Sequence, residues 1–376
     1  MSGPLTGLRV VELAGIGPGP YAGQLLADLG AQVTVVHRPG PDAPTIDHRG
    51  KRSVVVDLQK PGAAEVVLKL VELADVLIEG NRPGVAERLG VGPDAAWARN
   101  PRLIYGRMTG WGQSGPWAGM AGHDINYISI TGALLAMGEA DRPPAPPLNL
   151  VGDYGGGSLF LVFGVMAALW RLQNTGKGEV VDAAIVDGVS SMMGMFHTLS
   201  GWGRWTPQRQ ANWLDGGAPY YRCYRTKDDG FMAVGAIEPK FFATLLDKLD
   251  LDPAAFGAQE DRALWPAQHA LLEAKFLTRT RGQWAALFDN IDACTTPVLS
   301  YEEAPAHPHN LARASYAREG RLTHPRAAPR FPAEPDWAGR APRRKGVDTE
   351  AVLREAGFGV GDIETLTRDG VVALAR

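Results

Sequence analysis

Residues 8–36 read LRVVELAGIGPGPYAGQLLADLGAQVTVV. The first six are short, apolar and valine-bearing, the pattern of a buried strand. Gly15-Ile16-Gly17-Pro18-Gly19-Pro20 can only be a turn, because proline and glycine break both regular structures. Residues 21–29 have helical spacing and Gly30 supplies the stop. Residues 32–36 predict a second strand. A strand, a helix and a strand in so few residues make a β-α-β unit, which requires a parallel sheet with a crossover helix.

The pattern continues outward. Residues 48–57 (HRGKRSVVVD) predict a strand preceded by Arg49, Lys51 and Arg52. A helix follows over 63–74, with Val66, Val67, Leu70 and Leu73 on its apolar face. Further strands are expected at 76–78, 103–105 and 180–186. In open parallel sheets ligands bind at the carboxyl ends of strands. Arg38, Arg82 and Arg88 follow such ends and suggest one polyanionic ligand. That ligand is not a nicotinamide dinucleotide. The third glycine of its fingerprint would fall on Pro20, and His37-Arg38 stands where a ribose-binding carboxylate belongs.

The centre of the chain, residues 121–170, holds two polar clusters joined by the stiff loop Pro143-Pro144-Ala145-Pro146-Pro147. One is Gly122-His123-Asp124-Ile125-Asn126-Tyr127 and the other Asn149-Leu150-Val151-Gly152-Asp153. Each stands at the start of an expected helix. Histidine and aspartate are common proton-transfer groups. A racemase needs two of them, on opposite faces of one carbon. Imidazole titrates at about 6.5 unaided, whereas the Asp153 carboxyl must be raised by burial. The amide at the start of the helix from Asp124 would stabilise an oxyanion. No metal ligand set, nucleophile elbow or P-loop is found.

Composition bounds the rest. The 376 residues favour more than one domain. A net charge of -3 gives no reason to expect nucleic acid. Two cysteines, Cys223 and Cys294, are too few for a disulfide framework and fit a reducing, cytoplasmic setting. No secretion signal is read at the N-terminus. The apolar run at 159–170 is too short to span a membrane. After residue 186 the pattern changes. Residues 187–217 are expected to link the large domain (1–186) to a small one (218–304). The small domain would open with a hairpin at 220–237, turning at Asp229-Gly230 in type I′ geometry, and continue as helices at 240–249, 263–277 and 283–291. Its composition is that of a smaller α+β domain. A second linker, 305–340, leads to a closing segment, 341–376, that returns to the large domain. The methionine-rich stretch 189–199 is expected to be core, with an acyl-facing surface as the alternative.

With these motifs on the page, the chain resembles the α-methylacyl-CoA racemase branch of the family III CoA-transferase superfamily. The likeness is carried by residues 10–20 (VVELAGIGPGP), 49–53 (RGKRS), 81–85 (NRPGV) and 109–116 (TGWGQSGP). The two polar clusters, 215–219 (DGGAP) and 235–238 (GAIE) extend it. It implies a Rossmann-like parallel-sheet large domain, a smaller domain and an interlocked homodimer with the active site between subunits. The substrate would be an acyl-CoA thioester, with no separate cofactor. His123 and Asp153 would transfer the protons. Glu238, from the partner subunit's small domain, would orient His123, and Asn149 would support Asp153. The amide of Asp124 would bind the thioester oxygen. CoA would lie along Arg38, Val56, Asp57, Leu58, Gln59, Gly80, Asn81, Arg82 and Arg88, with Gly122, Ile125, Asn126 and Tyr127 beside the thioester. The rival is a CoA-transferase of the same superfamily, in which Asp153 or Asp124 attacks the thioester and forms an acyl-enzyme anhydride. A non-catalytic CoA-binding scaffold is a third alternative.

Overall fold

The computed structural model describes residues 3–42, 45–331 and 341–375. These residues form two compact units, one from 1–131, 147–192 and 311–376, the other from 132–146 and 193–310. The segment 132–146, which includes the proline loop up to Pro146, belongs with the second unit although its flanks belong to the first.

The first unit is built on strands β1 (Arg9–Leu13), β2 (Gln32–His37), β3 (Arg52–Val56), β4 (Val76–Glu79), β5 (Ile104–Thr109) and β6 (Val180–Ala184). All five pairings among them are parallel. The expected helix at 63–74 is Ala63–Glu72. It buries Val66, Val67, Leu70 and Val71 on the sheet, while Leu73 is exposed. The strand expected at 103–105 runs on through Gly106 and Arg107 to Thr109, so its end lies four residues further along.

In the second unit, β7 (Tyr221–Arg225), β8 (Phe231–Gly235) and β9 (Thr295–Pro297) form an antiparallel sheet. The helices Pro239–Lys248, Trp265–Phe276 and Arg281–Phe288 lie within two or three residues of the expected limits. Their core gathers Tyr224, Phe242, Leu245, Trp265, Phe276 and Trp284. The hairpin turn is not type I′. Five residues, 226–230, join the strands, and only Asp229 has positive φ, 59°. The Asp229 N–H donates to Thr226 O and the Thr226 N–H to Gly230 O, so the loop closes around a wider turn. A type I′ turn needs positive φ at both central residues.

The stretch 305–340 contains the hairpin β10 (Tyr316–Glu319) and β11 (Leu322–Pro325); its last nine residues lie outside the described ones. The closing segment carries the helices Thr349–Glu355 and Val360–Arg368 and ends in β12 (Val372–Ala373). β12 pairs antiparallel with β3, giving the sheet order β12-β3-β2-β1-β4-β5-β6. The order reverses between β1 and β4. That is the switch point where open α/β sheets leave a crevice at their carboxyl edge.

Beside the sheet, the π-helix Leu150–Leu159 runs without a break into the α-helix Phe160–Thr175. The 26-residue rod is long and apolar enough to cross a membrane by length and composition, which the run 159–170 alone is not. Its glycines instead seat it in the first unit. A Cβ on Gly188 would stand 2.0 Å from Gly156 O, so the rod and the helix Ile185–Met192 meet backbone to backbone. The methionine-rich stretch is two helices, Ile185–Met192 and Gly194–Gly201. Met192 and Met195 are exposed rather than core.

Candidate active site

A cleft of about 810 Å³ opens at the carboxyl edge of the large sheet. Four strand ends contribute: Leu13 to Pro20 at and after β1, His37 and Arg38 at β2, Ile78 to Pro83 around the end of β4, and Met108 to Trp111 at β5. Ala118, Met120, Ala121, Gly122, His123, Tyr127, Asp153, Ile185 and Lys345 complete the lining. His123 and Asp153 therefore face one cavity, although thirty residues and the proline loop separate them in sequence.

Their relative position has a local cause. The first N–H groups of a helix have no partner within it. In the π-helix, the Asp153 N–H is such a donor, and it bonds to the Asp124 carboxylate at 2.7 Å. Asp124 is buried and adjoins His123, so one carboxylate ties the first residue of the pair to the second. A Cβ on Gly152 would lie 2.4 Å from the same oxygen, which explains the glycine there. Asn149 caps the π-helix, and its amide donates to Asp153 Oδ2 over a long 3.4 Å.

At the other cluster His123 is the N-cap of the helix Asp124–Ser129, and its N–H donates to Asn126 Oδ1 at 3.0 Å. Asn126 is thus occupied in holding the backbone of His123. Tyr127 donates its hydroxyl hydrogen to Gly122 O and packs edge-on against Trp111, 4.8 Å between centroids. Asp124 N–H heads the same helix, where the dipole favours negative charge.

Burial raises the Asp153 carboxyl above its usual range. The Asn149 hydrogen bond opposes the rise, the Asp124 charge adds to it, and His123 lowers it. An acid with a raised pKa spends more of its time protonated near neutrality, as a reversible proton donor must. The nearby Tyr127 phenol is also pushed up, by burial first and then by the Asp153 charge.

The glycine-proline turn serves this carboxylate. Gly17 has φ 71° and ψ −116°, which a Cβ forbids, and a Cβ there would stand 3.1 Å from Asp153 Oδ2. Gly17→Ala is expected to cost about 1–2 kcal/mol of stability and to lower turnover by crowding Asp153. Thermal melts and initial rates check this; wild-type values for both would refute it.

Not every residue named from the sequence lines the cleft. Gly80, Asn81, Arg82, Arg38, Gly122 and Tyr127 do. Val56 is buried within β3, while Asp57, Leu58 and Gln59 continue beyond its end, outside the lining. Arg88 ends the helix Val85–Arg88 with its guanidinium over Gly84. Ile125 is exposed and is not in the lining either. Glu238, the N-cap of the helix Pro239–Lys248, belongs to the second unit.

Two basic groups at or beside the cleft gave little or no sequence signal. Lys51 and Glu12 form a buried ion pair at 2.7 Å, and Lys51 also donates to Pro20 O at 2.8 Å. Lys51 was visible as one base among three before β3; only the fold brings it under the turn. Lys345 lies in a tail to which the sequence assigns no function.

Comparison with known proteins gives the family. The CoA-transferase family III model matches residues 5–346. The chain is 44% identical over 372 residues to the α-methylacyl-CoA racemase of Mus musculus, covering 98% of this chain and 97% of that protein. It is 42% identical over 374 residues to the racemase of the same name from Homo sapiens, with the same coverage. Among solved structures, a CAIB/BAIF family protein from Brucella suis superposes with a TM-score of 0.81 at 27% identity, covering 95% of this chain and all of that one.

Proposed function

We propose, on the premise that this chain belongs to CoA-transferase family III, that it is an isomerase interconverting the R and S forms of 2-methylacyl-CoA thioesters. Near-full-length identity to two racemases supports the activity. The observation that carries the chemistry is that His123 and Asp153 line one cleft.

In this reading one of the pair removes the proton from C2 of the acyl group. The C–H electrons move into the C1–C2 bond, and the carbonyl electrons move onto the thioester oxygen. The Asp124 N–H at the helix start holds that enolate oxygen. The other member of the pair then gives a proton to the opposite face of C2, and the carbonyl re-forms. Each turnover leaves the two side chains with exchanged protonation states, so both must be able to hold or release a proton. The reading requires no cofactor beyond the CoA carried by the substrate.

The transferase alternative needs a carboxylate that can reach the thioester carbon. The Asp124 carboxylate is poorly suited, since the residue is buried and the carboxylate already accepts from Asp153 N–H. Asp153 remains the only one of the two that could serve. An interlocked homodimer, with Glu238 of one subunit turned toward His123 of the other, is part of the proposal. It is supported by the exposed apolar row Leu159, Phe163, Met166 and Trp170 along the long helix. A cytoplasmic location is proposed with it.

The test is incubation of a single-enantiomer 2-methylacyl-CoA in deuterated water. Deuterium at C2 together with loss of optical purity is expected. Transfer of CoA to an added carboxylic acid without C2 exchange would overturn the reading in favour of the transferase.

A further inference from the structure

The tail after Pro342 is held against the sheet by specific bonds. Gly346 N–H donates to Ser53 Oγ at 2.8 Å, and the Asp348 carboxylate accepts from Ser53 N–H at 2.9 Å. Thr349 Oγ1 accepts from Val55 N–H at 3.2 Å. Lys345 N–H donates to Asp42 Oδ1 at 3.2 Å, which ties the tail to the loop after β2. These bonds lay Lys345 over the β2–β3 side of the cleft.

Its ammonium has weak company there. It lies 3.5 Å from Gly40 O and from Pro41 O, and among the described residues it forms no ion pair with a carboxylate. It lines the cleft together with Arg38 and Arg82, both exposed. It also lines an adjoining recess of about 180 Å³ with His37, Asp42, His48 and Arg343. His37 adds no charge: burial, with His48, Lys345 and Lys51 beside it, lowers it to about 4. Arg343 is taken up by Asp348 at 2.7 Å. Asp42, which lines the same recess, accepts the backbone N–H of Lys345, and Glu79 and Asp153 are the acids of the cleft itself.

The spacing fits one ligand. His123 and Tyr127 stand by the end of β5, and Arg38 and Lys345 by β2. Three strand intervals, at about 4.8 Å each, separate them by roughly 14 Å. The flexible pantetheine arm of CoA bridges such a span between the thioester and the phosphates.

We infer that Lys345 is a phosphate-binding residue of the substrate site, acting with Arg38 on the nucleotide end of acyl-CoA. The inference rests on the racemase reading and adds to it a contact from the closing segment. An ammonium whose hydrogen-bond partners among the described residues are two distant carbonyls is ready to exchange them for a phosphate oxygen, which makes a stronger, charge-assisted bond.

The experiment compares 2-methylacyl-CoA with the matching acyl-pantetheine, which keeps the thioester and lacks every phosphate. The readout is the ratio of their kcat/KM values for C2 deuterium exchange. In Lys345→Gln the ratio is expected to fall about tenfold, and Lys345→Arg is expected to keep most of it. The backbone bond to Asp42 is unchanged in either variant, and circular dichroism verifies the fold. An unchanged ratio in folded Lys345→Gln overturns the inference. If the wild-type protein exchanges neither thioester, the racemase reading itself fails, a separate outcome.

Discussion

Asp153→Asn is expected to lower racemisation of 2-methylacyl-CoA by about 10²–10⁴-fold, the usual worth of one positioned acid or base. The fold should be kept, because the bond from Asp124 goes to the backbone of residue 153 and the new side chain has the same shape. The loss should also be one-sided. With Asp153 gone, His123 can still exchange the C2 proton of the enantiomer that presents it to the imidazole, without inversion. His123→Gln should spare the other enantiomer instead. Proton exchange and optical rotation, followed for each enantiomer in turn, measure this directly. Wild-type racemisation in either variant would remove that residue from the chemistry, and loss of exchange from both enantiomers in one variant would argue against two bases.

Lys51→Met is expected to destabilise the protein by about 3–5 kcal/mol, the cost of breaking a buried pair and leaving one charge behind. That is a large share of the roughly 5–15 kcal/mol that holds a domain folded. Glu12 is fully enclosed: one oxygen bonds to Lys51, and the other has no hydrogen-bond partner among the described residues. Burial raises its pKa to about 7 against the pull of Lys51. The sign of the pH dependence follows. A carboxyl whose folded pKa lies above its unfolded value binds more protons when folded, so its share of stability is present below about 4.5 and is lost as pH rises toward 7. Urea midpoints should therefore decline from pH 5 to pH 8 more steeply in wild type than in Glu12→Gln. The double variant Glu12→Leu with Lys51→Met should regain much of the single variant's loss, since a packed apolar pair avoids the desolvation cost. Parallel pH profiles for wild type and Glu12→Gln would refute the assignment. The pair also affects the site, because Lys51 holds Pro20 O and with it the turn that flanks Asp153.

The two polar clusters were legible in the sequence because each is a local pattern: chemistry-bearing residues beside a helix start, quoted almost in one line. The cations were legible only in part. Arg38 and Arg82 follow strand ends and line the cleft. Arg88 follows the same strand as Arg82, but one more helical turn carries it over Gly84 and out of the lining. Val56 to Gln59 also follow a strand end, yet β3 lies two strands from the switch point on the β2 side. Sequence position ranks such residues equally, and the lateral order of strands does not.

By itself the sequence determined the alternation of strands and helices, hence a parallel sheet with its ligand edge, because periodicity and glycine-proline punctuation are short-range properties. It also determined the residue types available for proton transfer. Only the tertiary structure decided which of them meet. Strand order put the turn after β1 opposite the loop after β4. The Asp124 carboxylate, accepting from the Asp153 N–H twenty-nine residues away, set Asp153 beside His123. The closing segment, nearly three hundred residues from Ser53, brought Lys345 to the cleft. Such convergence depends on hydrogen bonds and packing between distant segments, and no window of neighbouring residues contains that information.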